Sequence, residues 1–447
     1  MKLPEKAPNW LQIISDNYKF IFSPGTLKTL NELTNDIDLR DEYLYWDKFK
    51  YLSMPEGLSL ELVWAYLKFS RQSKIQKTNL VSKSSDNFGY WTPDTILRDL
   101  SFIDKYSSGL ILSDSSGYKS EQKKYIVNSL MEEAIASSQL EGAATTRRVA
   151  KEMLRSGRKP RNHAEQMVFN NFKTILMIKD LIGVPLNDKI LIELHKSMTI
   201  DTLENPDWCG RFRNNQDEPI SVADKDGETL YIPPSPERIS SMMKILYEYA
   251  NENDDIKKFT HPVVKAILLH FYLSYIHPFN DGNGRTARAL FYWYMLNKGY
   301  WMFESLTISK IFIKTPAQYA RAFLYTEIDE SDLTYFISFN IKVIKIAIQK
   351  LIEYIKTRQT EIKGITQHLQ KYPELNHRQR ELLRYSLDNA DAQYTVQEHK
   401  TINNITYETA RRDLLYLTAK KLLIKTKKGR KFYFVPSLDL NSKIRIR

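Results

Sequence analysis

Apolar residues recur with helical spacing along most of this chain, and the pattern predicts a mainly α-helical protein. Residues 55–70 and 122–140 have the spacing of amphipathic helices, and Thr92-Pro93-Asp94 opens a further helix. The stretch 71–88 is rich in Ser, Lys and Asn and is predicted to be a loop. From about 160 to 345 the predicted helices are longer and more apolar.

One segment between these helices has a clear β pattern. Residues 210–234 contain two short extended runs on either side of Asp224-Lys225-Asp226-Gly227. An Asp-Gly turn between such runs predicts a β-hairpin, which Pro233-Pro234 ends.

The C-terminal part has a different organisation. Residues 331–363 form a long helical stretch, and Tyr372-Pro373 breaks it. The elements that follow are helices near 376–387, 395–403 and 406–420 and a hairpin of Leu423–Thr426 and Lys431–Val435, joined at Lys428-Gly429-Arg430. This order is typical of a winged helix-turn-helix. The expected domains are an N-terminal helical region (1–120), a core (121–345), a helical connector (346–372) and the winged helix-turn-helix (373–447).

The residues with the clearest chemical meaning lie between two predicted helices of the core. The first helix, Pro262 to Ile276, leads into a glycine-rich loop, and the second starts near Arg285. The segment reads His277-Pro278-Phe279-Asn280-Asp281-Gly282-Asn283-Gly284-Arg285-Thr286-Ala287-Arg288.

Each residue type in this segment suits the transfer of a phosphate ester. Backbone N–H groups at a glycine-rich helix N-terminus bind anions, and Arg285 and Arg288 project from one face of that helix. Asp281 can hold a Mg²⁺ ion that bridges phosphate oxygens. His277 can accept a proton from a hydroxyl at neutral pH.

The segment matches the signature His-x-Phe-x-Asp/Glu-Gly-Asn-Gly-Arg-x-x-Arg at every specified position, so the chain resembles the Fic family. The resemblance extends over roughly 120–345 and places the 210–234 hairpin where the family carries its flap. It implies a Fic-type helical core with a β-hairpin flap. The implied reaction is AMPylation, in which AMP passes from ATP to a Ser, Thr or Tyr hydroxyl of a protein target or of the enzyme itself.

The resemblance also implies a role for each residue of the signature. His277 is the general base, Phe279 anchors the loop in the core, and Asp281 binds the Mg²⁺ ion. The nucleotide is held by an anion hole and by two arginines that bind its β- and γ-phosphates. These nucleotide-binding residues are Gly282, Asn283, Gly284, Arg285 and Arg288.

A second resemblance lies in an inhibitory helix at about 122–142, which ends Ser137-Ser138-Gln139-Leu140-Glu141-Gly142. This ending fits the family's inhibitory pattern Ser/Thr-x-x-x-Glu-Gly/Asn, in the subgroup that carries the helix N-terminal to the core. The resemblance implies that Glu141 pairs with Arg288 where the γ-phosphate of ATP would bind, and that Ser137 lies near Asn283. The alternative is an ordinary helix C-terminus with no special role.

The hairpin and an aromatic pair are further candidates for binding. In the family, the flap pairs with an extended segment of the target protein. The target-docking candidates here are Ile220, Ser221, Val222, Tyr231 and Ile232, and a purely structural hairpin is the alternative. Tyr319 and Phe323 lie one helical turn apart and either flank an adenine or pack in the core.

The charge of the chain points to an anionic partner for its C-terminal part. The formal net charge is +12, and residues 376–447 hold 16 Lys and Arg against 7 Asp and Glu, which gives 16 − 7 = +9. In the segment 406–420, Ala410, Leu414 and Leu417 have core-like spacing, while Tyr407, Arg411 and Arg412 lie nearer the other face. With the basic hairpin residues Lys425, Lys427, Lys428, Arg430 and Lys431 they form a candidate DNA-binding surface. A protein-docking or dimerisation module is the alternative.

Composition narrows the cellular setting. Cys209 is the only cysteine, so an intramolecular disulfide is impossible, and a reducing cytoplasm fits best. No apolar run is long enough to span a membrane, and the first residues lack the apolar core of a secretory signal. Residues 1–120 carry no chemical signal and are expected to pack as helices, with a role in homodimer formation left open.

Two other functions remain open at this point. The same loop could transfer another phosphate-containing group, such as a phosphate, UMP or phosphocholine. Alternatively, the chain is a DNA-binding regulator that uses a Fic core as an ATP sensor. The complete set of catalytic side chains favours AMP transfer from ATP with Mg²⁺.

Overall fold

Helices make up most of the protein, as the apolar spacing predicts. In this computed structural model the chain forms two units, Met1–Gln349 and Lys350–Arg447. The structure describes residues 3–40, 42–107, 119–223, 226–252, 259–370, 372–388, 392–428 and 431–444.

Short helices packed around aromatic side chains form the N-terminal part of the first unit. The helices are α1 (Trp10–Asp16), α2 (Tyr18–Ile21), α3 (Pro24–Asp38), α4 (Trp46–Phe49), α5 (Leu60–Lys74) and α6 (Asp94–Ser107). Helix α5 begins later than the predicted residue 55, because the side chain of Ser59 accepts a hydrogen bond from the N–H of Leu62 and caps the helix there. Tyr45, Phe49 and Trp64 are buried in this cluster.

The predicted loop at 71–88 is wrong in part, because the segment forms an antiparallel hairpin of β1 (Gln76–Val81) and β2 (Asn87–Tyr90). The polar residues that suggest a loop lie mostly at the turn, where the Ser82 hydroxyl accepts hydrogen bonds from the N–H groups of Ser84 and Asp86. On the strands, Leu80 and Phe88 are buried, and these two apolar positions fix the hairpin to the core.

The central part of the first unit is a helical assembly that surrounds two buried helices. Its helices are α7 (Lys119–Leu140), α8 (Arg147–Ser156), α9 (His163–Ile178), α10 (Asp188–Thr199), α11 (Pro236–Asn251), α12 (Pro262–Ile276), α13 (Asn283–Asn297), α14 (Ser309–Phe312), α15 (Pro316–Ile328) and the first part of α16 (Thr334–Gln370), which continues into the second unit. Helices α12 and α13 are buried on nearly every side. This is expected of α12, which is apolar over most of its surface, whereas α13 also buries Arg285 and Arg288, which are hydrogen-bonded. The signature segment joins these two helices, so a rigid core holds it from both ends.

The segment 210–234 contains the hairpin that the sequence predicts. Strands β3 (Val222–Ala223) and β4 (Thr229–Tyr231) are antiparallel, with Val222 opposite Tyr231 and Ala223 opposite Thr229. Of the predicted turn, Asp224 and Lys225 lie outside the described residues.

The second unit follows the predicted order of three helices and a hairpin. Its elements are α17 (His377–Asp388), α18 (Val396–Asn403), α19 (Tyr407–Ala419), β5 (Leu423–Lys428), β6 (Lys431–Pro436) and α20 (Leu440–Ile444). Ala410, Leu414 and Leu417 are fully buried in its core, as their spacing predicts. Gly429 and Arg430 of the predicted turn lie outside the described residues.

In the described part of the chain, none of the helices combines the length and the apolar character that a membrane crossing requires.

Candidate active site

The loop between α12 and α13 owes its shape to two residues with left-handed backbones. His277 follows the last residue of α12 with φ 51° and ψ 57°, which ends the helix and turns the chain. Gly282 has φ 82° and caps the N-terminus of α13, which begins at Asn283. Because the first backbone N–H groups of a helix lack intrahelical partners, the loop leads directly to an anion-binding position.

The side chain of Asn283 closes this loop from within. Its Oδ1 accepts a hydrogen bond from the N–H of Phe279 (2.9 Å), and its Nδ2 donates to the carbonyl of the same residue (2.7 Å). Asn283 is buried, and the clamp occupies its amide. A direct contact of this side chain with a phosphate, as the resemblance suggests, stays a prediction.

His195 of α10 supports the loop from the opposite side, and sequence reasoning missed it. Its ring stacks on Phe279 with centroids 3.7 Å apart and planes at 3°. Its Nδ1 accepts from the N–H of Gly210 (3.2 Å), so the proton is on Nε2, which donates to the carbonyl of Asp281 (2.9 Å). Burial lowers the pKa of His195 to about 4, which keeps the ring neutral in this role.

Arg213 is a second residue that sequence reasoning missed. Its Nε donates to the carbonyl of His277 (2.8 Å), and its Nη2 donates to the carbonyls of Pro234 (2.6 Å) and Ile276 (3.3 Å). Its backbone N–H donates to the carbonyl of Pro278 (2.9 Å). This buried arginine therefore joins both ends of the 210–234 segment to the backbone that carries His277.

His277 is set up to accept a proton. Its Nδ1 lies 3.2 Å from the carbonyl oxygen of Ser274, and because a carbonyl only accepts, the proton of the neutral ring is on Nδ1. The Nε2 atom of that tautomer has a free lone pair. Burial lowers the pKa of His277 below its usual value, so the neutral form persists into mildly acidic solution.

Asp281 and Arg285 form a pair at the first turn of α13. The Asp281 side chain is 51% exposed, and its Oδ1 accepts from the N–H of Gly282 (2.5 Å). Arg285 is buried and donates to Asp281 Oδ2 (3.3 Å) and to the carbonyl of Met198 (3.2 Å). In this conformation Arg285 orients the Asp281 carboxylate, and its contact with a phosphate stays a prediction.

The structure brings Arg288 into contact with both residues of the predicted inhibitory pattern. Its Nη2 donates to Glu141 Oε1 (2.8 Å) and to the carbonyl of Ser137 (3.0 Å), and its Nε donates to the Ser137 hydroxyl (2.9 Å). Ser137 thus binds Arg288, whereas the amide of Asn283 is taken up by Phe279.

The carboxylate of Glu141 lies against the first turn of α13. A Cβ atom placed on Gly284 would be only 2.4 Å from Glu141 Oε1, so the absence of a side chain at 284 makes room for this carboxylate. Burial opposes the ionisation of Glu141, but the charges of Arg288 and Arg285 outweigh it and lower its pKa. A carboxylate therefore occupies the position that helix geometry and two arginines prepare for an anion.

The two candidate adenine-binding rings belong to an aromatic cluster beside Arg288. Tyr319 stacks on Phe312 (4.4 Å) and has its hydroxyl 2.9 Å from His270 Nε2, and Phe323 packs on Phe336 (4.4 Å). Both rings are partly exposed. Packing in the core, which was the alternative to adenine binding, accounts for the contacts of both rings. A contact of either ring with adenine stays a prediction.

The flap candidates differ in accessibility. The hydroxyl of buried Tyr231 donates to the carbonyl of Tyr275 (2.8 Å), so this side chain fixes the hairpin to the end of α12. Ser221 is exposed, Ile220 and Val222 are partly exposed, and Ile232 is 63% exposed. Ser221 and Ile232 are therefore the residues most open to a partner chain.

The donor set of the loop fits a magnesium ion that arrives with its nucleotide. Among the described residues, no group of three or more His, Cys, Asp or Glu side chains could hold a metal. Asp281 instead offers one exposed carboxylate beside the anion-binding turn. Mg²⁺ keeps several waters and commonly binds through one or two carboxylates together with substrate phosphates.

Comparison with known proteins agrees with this geometry. The model of the Fic/DOC family matches residues 185–295. Protein adenylyltransferase Fic of Nematostella vectensis is 31% identical over 142 residues, which cover 29% of this chain and 31% of that protein. Protein adenylyltransferase fic-1 of Caenorhabditis elegans is 26% identical over 205 residues, 42% of this chain and 37% of that protein. The chain thus spans about a third of the length of these relatives.

Solved structures with a related arrangement include a Fic family protein from Desulfovibrio desulfuricans G20, with a TM-score of 0.49 and 17% identity over 75% of this chain and 95% of that one. A fragment of C. elegans Fic-1 has a TM-score of 0.47 and 21% identity over 59% of this chain and 73% of the fragment. The family match and the curated relatives agree with the signature loop, and residues 185–295 of this chain form a Fic/DOC domain.

Proposed function

We propose that this protein is a protein adenylyltransferase that transfers AMP from ATP to a hydroxyl side chain, and that Glu141 holds it in an inhibited state. One observation carries the proposal. The N-terminus of α13 and the charges of Arg288 and Arg285 all act on the position that the Glu141 carboxylate takes, beside the loop that carries His277. The adenylyltransferase activity named for the relatives supports the same reaction.

The chemistry follows from these groups. The target hydroxyl transfers its proton to Nε2 of His277 as its oxygen attacks the α-phosphorus of ATP. The bond between the α-phosphorus and the bridging oxygen breaks, and pyrophosphate leaves. The α13 N-terminus and the arginines stabilise the charge on the phosphates, and positioning supplies most of the rate gain.

Asp281 would hold Mg²⁺ through its exposed carboxylate, with Arg285 keeping that carboxylate oriented. The bound ion would neutralise phosphate charge and help to orient the nucleotide. His195 positions Asp281 by binding its carbonyl, and it maintains the loop without touching the nucleotide.

Inhibition follows from the competition of two anions for one arginine. In the proposed mechanism Arg288 binds the γ-phosphate of ATP, but Glu141 already occupies its Nη2. ATP then binds without the alignment that transfer requires. Because the pair is largely buried, a single substitution at Glu141 frees Arg288 for the nucleotide.

The protein target is expected to dock along the flap. An extended segment beside β3 and β4 would bring its hydroxyl towards His277, because Arg213 joins the root of the flap to the histidine backbone. Exposed Ser221 and Ile232 are the flap residues proposed to contact the target.

The proposed function is tested by incubating the protein with Mg²⁺ and ATP that is labelled at its α-phosphate, and by measuring the label transferred to protein. We expect weak labelling of the protein or of lysate targets by the wild type and stronger labelling by Glu141→Gly. Labelling should be lost in Glu141→Gly with His277→Ala. A Glu141→Gly variant that is folded but no more active than the wild type would exclude the inhibitory role.

The same experiment separates the alternative functions. ATP binding with no transfer in any variant would favour a nucleotide-sensing regulator. Transfer of label from UTP or CDP-choline but not from ATP would instead indicate another phosphate-containing donor group.

For the second unit we propose binding to DNA. Arg412 on α19 and Lys425 and Lys427 on β5 are exposed, and Phe432 offers an exposed ring 4.1 Å from Lys425 Nζ. Arg411 is also exposed, but it pairs with Glu408 (3.1 Å). Exposed cations combined with an aromatic ring suit a phosphate backbone.

DNA binding is tested by titrating a mixed-sequence duplex at several salt concentrations. We expect the affinity for DNA to fall steeply as the salt concentration rises. The slope of the logarithm of the affinity against the logarithm of the salt concentration should decrease in magnitude by about one in Arg412→Gln. Lys443→Gln is the matched control, since Lys443 is already paired with Asp439. A salt slope that is the same in all three proteins would exclude this surface and favour a protein-docking role.

A further inference from the structure

One face of α7 carries more polar side chains than inhibition requires. Glu133, Ser137 and Glu141 are spaced four residues apart, so they share a face of the helix and its C-terminal extension. Ser137 and Glu141 contact Arg288. Glu133 has no part in the proposed chemistry, yet it is 2% exposed, and a buried carboxylate needs a physical reason.

Glu133 fastens α7 to α14. The Ser309 hydroxyl donates to its Oε1 (2.5 Å), and the Ser309 N–H donates to its Oε2 (3.1 Å). Both carboxylate oxygens are thus bound by the first residue of another helix, which is far away in the sequence. Hydrogen bonds to a charged group are among the stronger ones, so this contact fixes the middle of α7 to the core.

Glu133 also faces Arg288 from the interior. The two side chains line one small cavity, together with His270, Tyr292 and Ser309, which has room for about one water molecule. Burial raises the pKa of Glu133, while the bonds from Ser309 and the charge of Arg288 favour its ionised form; the Glu133 carboxylate in turn favours the charged form of Arg288. Arg288 therefore lies between a buried carboxylate, Glu133, and a partly exposed one, Glu141.

The two carboxylates differ in what happens to them when a nucleotide binds. Glu141 must leave Arg288 to admit a γ-phosphate, whereas Glu133 is held by Ser309 and has no reason to move. A guanidinium that is 6% exposed is costly to leave without a counter-charge. The two hydrogen bonds from Arg288 to Ser137 also survive the departure of Glu141, provided that α7 stays docked.

We propose that Glu133 is a positioning residue, which keeps α7 docked and Arg288 correctly placed after Glu141 has moved away. Inhibition is then relieved by displacement of the segment that follows Leu140 and carries Glu141, while Ser137 stays in place. Gly142 suits this movement, because it has φ 88° and nothing within 4 Å of its Cβ position. The inference rests on the proposed function only where it concerns the nucleotide.

Hydrogen exchange of the α7 amides, without nucleotide, tests the anchoring. We expect residues 126–136 to stay protected in Glu141→Gly and to exchange roughly tenfold faster in Glu133→Gln, which turns one acceptor towards Ser309 into a donor. Asn128→Ala is the control on the same helix, because the Asn128 side chain accepts a hydrogen bond from Arg155 at the surface and does not contribute to the contact with Ser309. Equal loss of protection in Glu141→Gly, or equal behaviour of Glu133→Gln and Asn128→Ala, would overturn the proposal.

The preference for ATP over ADP tests the positioning of Arg288, because only ATP carries the γ-phosphate. In the Glu141→Gly background we expect Glu133→Gln to reduce the ratio of the Kd for ADP to the Kd for ATP by about tenfold. A loss of this size is expected when one charge-assisted contact is removed. Asn128→Ala should leave the ratio unchanged, and Glu133→Gln should add nothing once Arg288→Ala is present.

A Glu133→Gln variant that weakens ATP and ADP equally would show a merely structural role and overturn the positioning of Arg288. Failure of the proposed function would instead appear as no ATP binding by the Glu141→Gly parent. The exchange experiment needs no nucleotide, so the two failures are distinguishable.

Discussion

Individual residues in the signature loop combine backbone geometry with chemistry. His277 adopts a left-handed backbone that costs a non-glycine residue free energy, and its Nδ1 bond to Ser274 offsets part of this cost. The same bond selects the tautomer with a free Nε2. Gly282 adopts a similar backbone without that cost, but close neighbours surround it. Under the proposed function, the loop therefore depends on His277 for proton transfer and on Gly282 for its fit between the neighbouring side chains.

Gly282→Ala is expected to destabilise the loop. Its Cβ would lie 2.6 Å from Thr199 Cγ2 and 3.3 Å from His195 Nε2, and both neighbours are buried on α10. We expect the free energy of unfolding in urea to fall by about 2–4 kcal/mol, with loss of AMP transfer. Gly299→Ala is the matched control, with φ 80° and nothing within 4 Å, and should cost about 1–2 kcal/mol. Equal losses in the two variants would contradict the steric explanation.

The pH dependence of transfer should report the lowered pKa of His277. A general base acts when unprotonated, and burial keeps this ring unprotonated below the usual histidine pKa. We expect the acidic limb of kcat/KM of the Glu141→Gly variant to be centred below the usual histidine pKa of about 6.5. An acidic limb centred at or above that value would show that the ring is more exposed in the active state than here.

At the scale of elements, the core helices carry neutral histidines as structural parts. His195 on α10 and His270 on α12 are buried, and their pKa values are lowered to about 4 and about 3. Burial is the main cause for both, and the charge of Arg288 adds to it for His270. Each ring binds a neighbouring polar group, Asp281 for His195 and Tyr319 for His270. These helices are consequently sensitive to acid.

We expect the first unit to lose stability as the pH falls from about 6.5 towards 4. In that range the unfolded chain binds protons at these histidines and the folded chain does not, so acid favours unfolding. His195 alone should contribute on the order of 2 kcal/mol between pH 7 and pH 5. Denaturant titrations at the two pH values measure this, and His195→Gln should reduce the difference. An unchanged difference in the variant would mean that the ring titrates in the folded state.

Part of this element structure could be read from the sequence, and part could not. The helices, the flap hairpin and the signature loop have local patterns, since apolar spacing and glycine-rich turns lie within a few residues of each other. His195 and Arg213 act on the loop from 86 and 64 positions away, and no local pattern marks them. The one available signal for His195 is a histidine on the apolar face of α10, which must find a polar partner.

The β1–β2 hairpin was hidden for a related reason. Polar residues of its turn dominate the composition of the segment. The hairpin is held in place by aromatic side chains that are far away in the sequence. Phe88 packs against Phe271 and Tyr275 of α12, and the hydroxyl of Tyr272 donates to the carbonyl of Val81. Tertiary contacts of this kind override a polar sequence, and only the folded chain displays them.

At the scale of the whole molecule, two units have separate hydrophobic cores. One aromatic cluster of the first unit centres on Trp64, and the core of the second contains Leu383, Leu414 and Leu417. The basic excess of the C-terminal residues belongs to the second unit. Stability and function can therefore be altered in one unit at a time.

Leu414→Ala tests this independence. Leu414 is fully buried, so its truncation should destabilise the second unit by about 2–5 kcal/mol. We expect calorimetry to show one transition moved to lower temperature, with the other transition and AMP transfer by the Glu141→Gly background unchanged. A single shared transition that moves as a whole would show that the two units unfold cooperatively.

Under the proposed function, Arg213 has a consequence for how the protein acquires new targets. It fastens the root of the flap to the backbone of His277, while Ala223 and Thr229, which face each other across the flap strands, are exposed. The root is tied to the loop that carries His277, whereas the outer positions can vary without disturbing that loop. Under the proposed function, a few surface substitutions on the flap could redirect the same chemistry to a different target protein over evolutionary time, and the flap would be an evolvable adaptor on a fixed reaction centre.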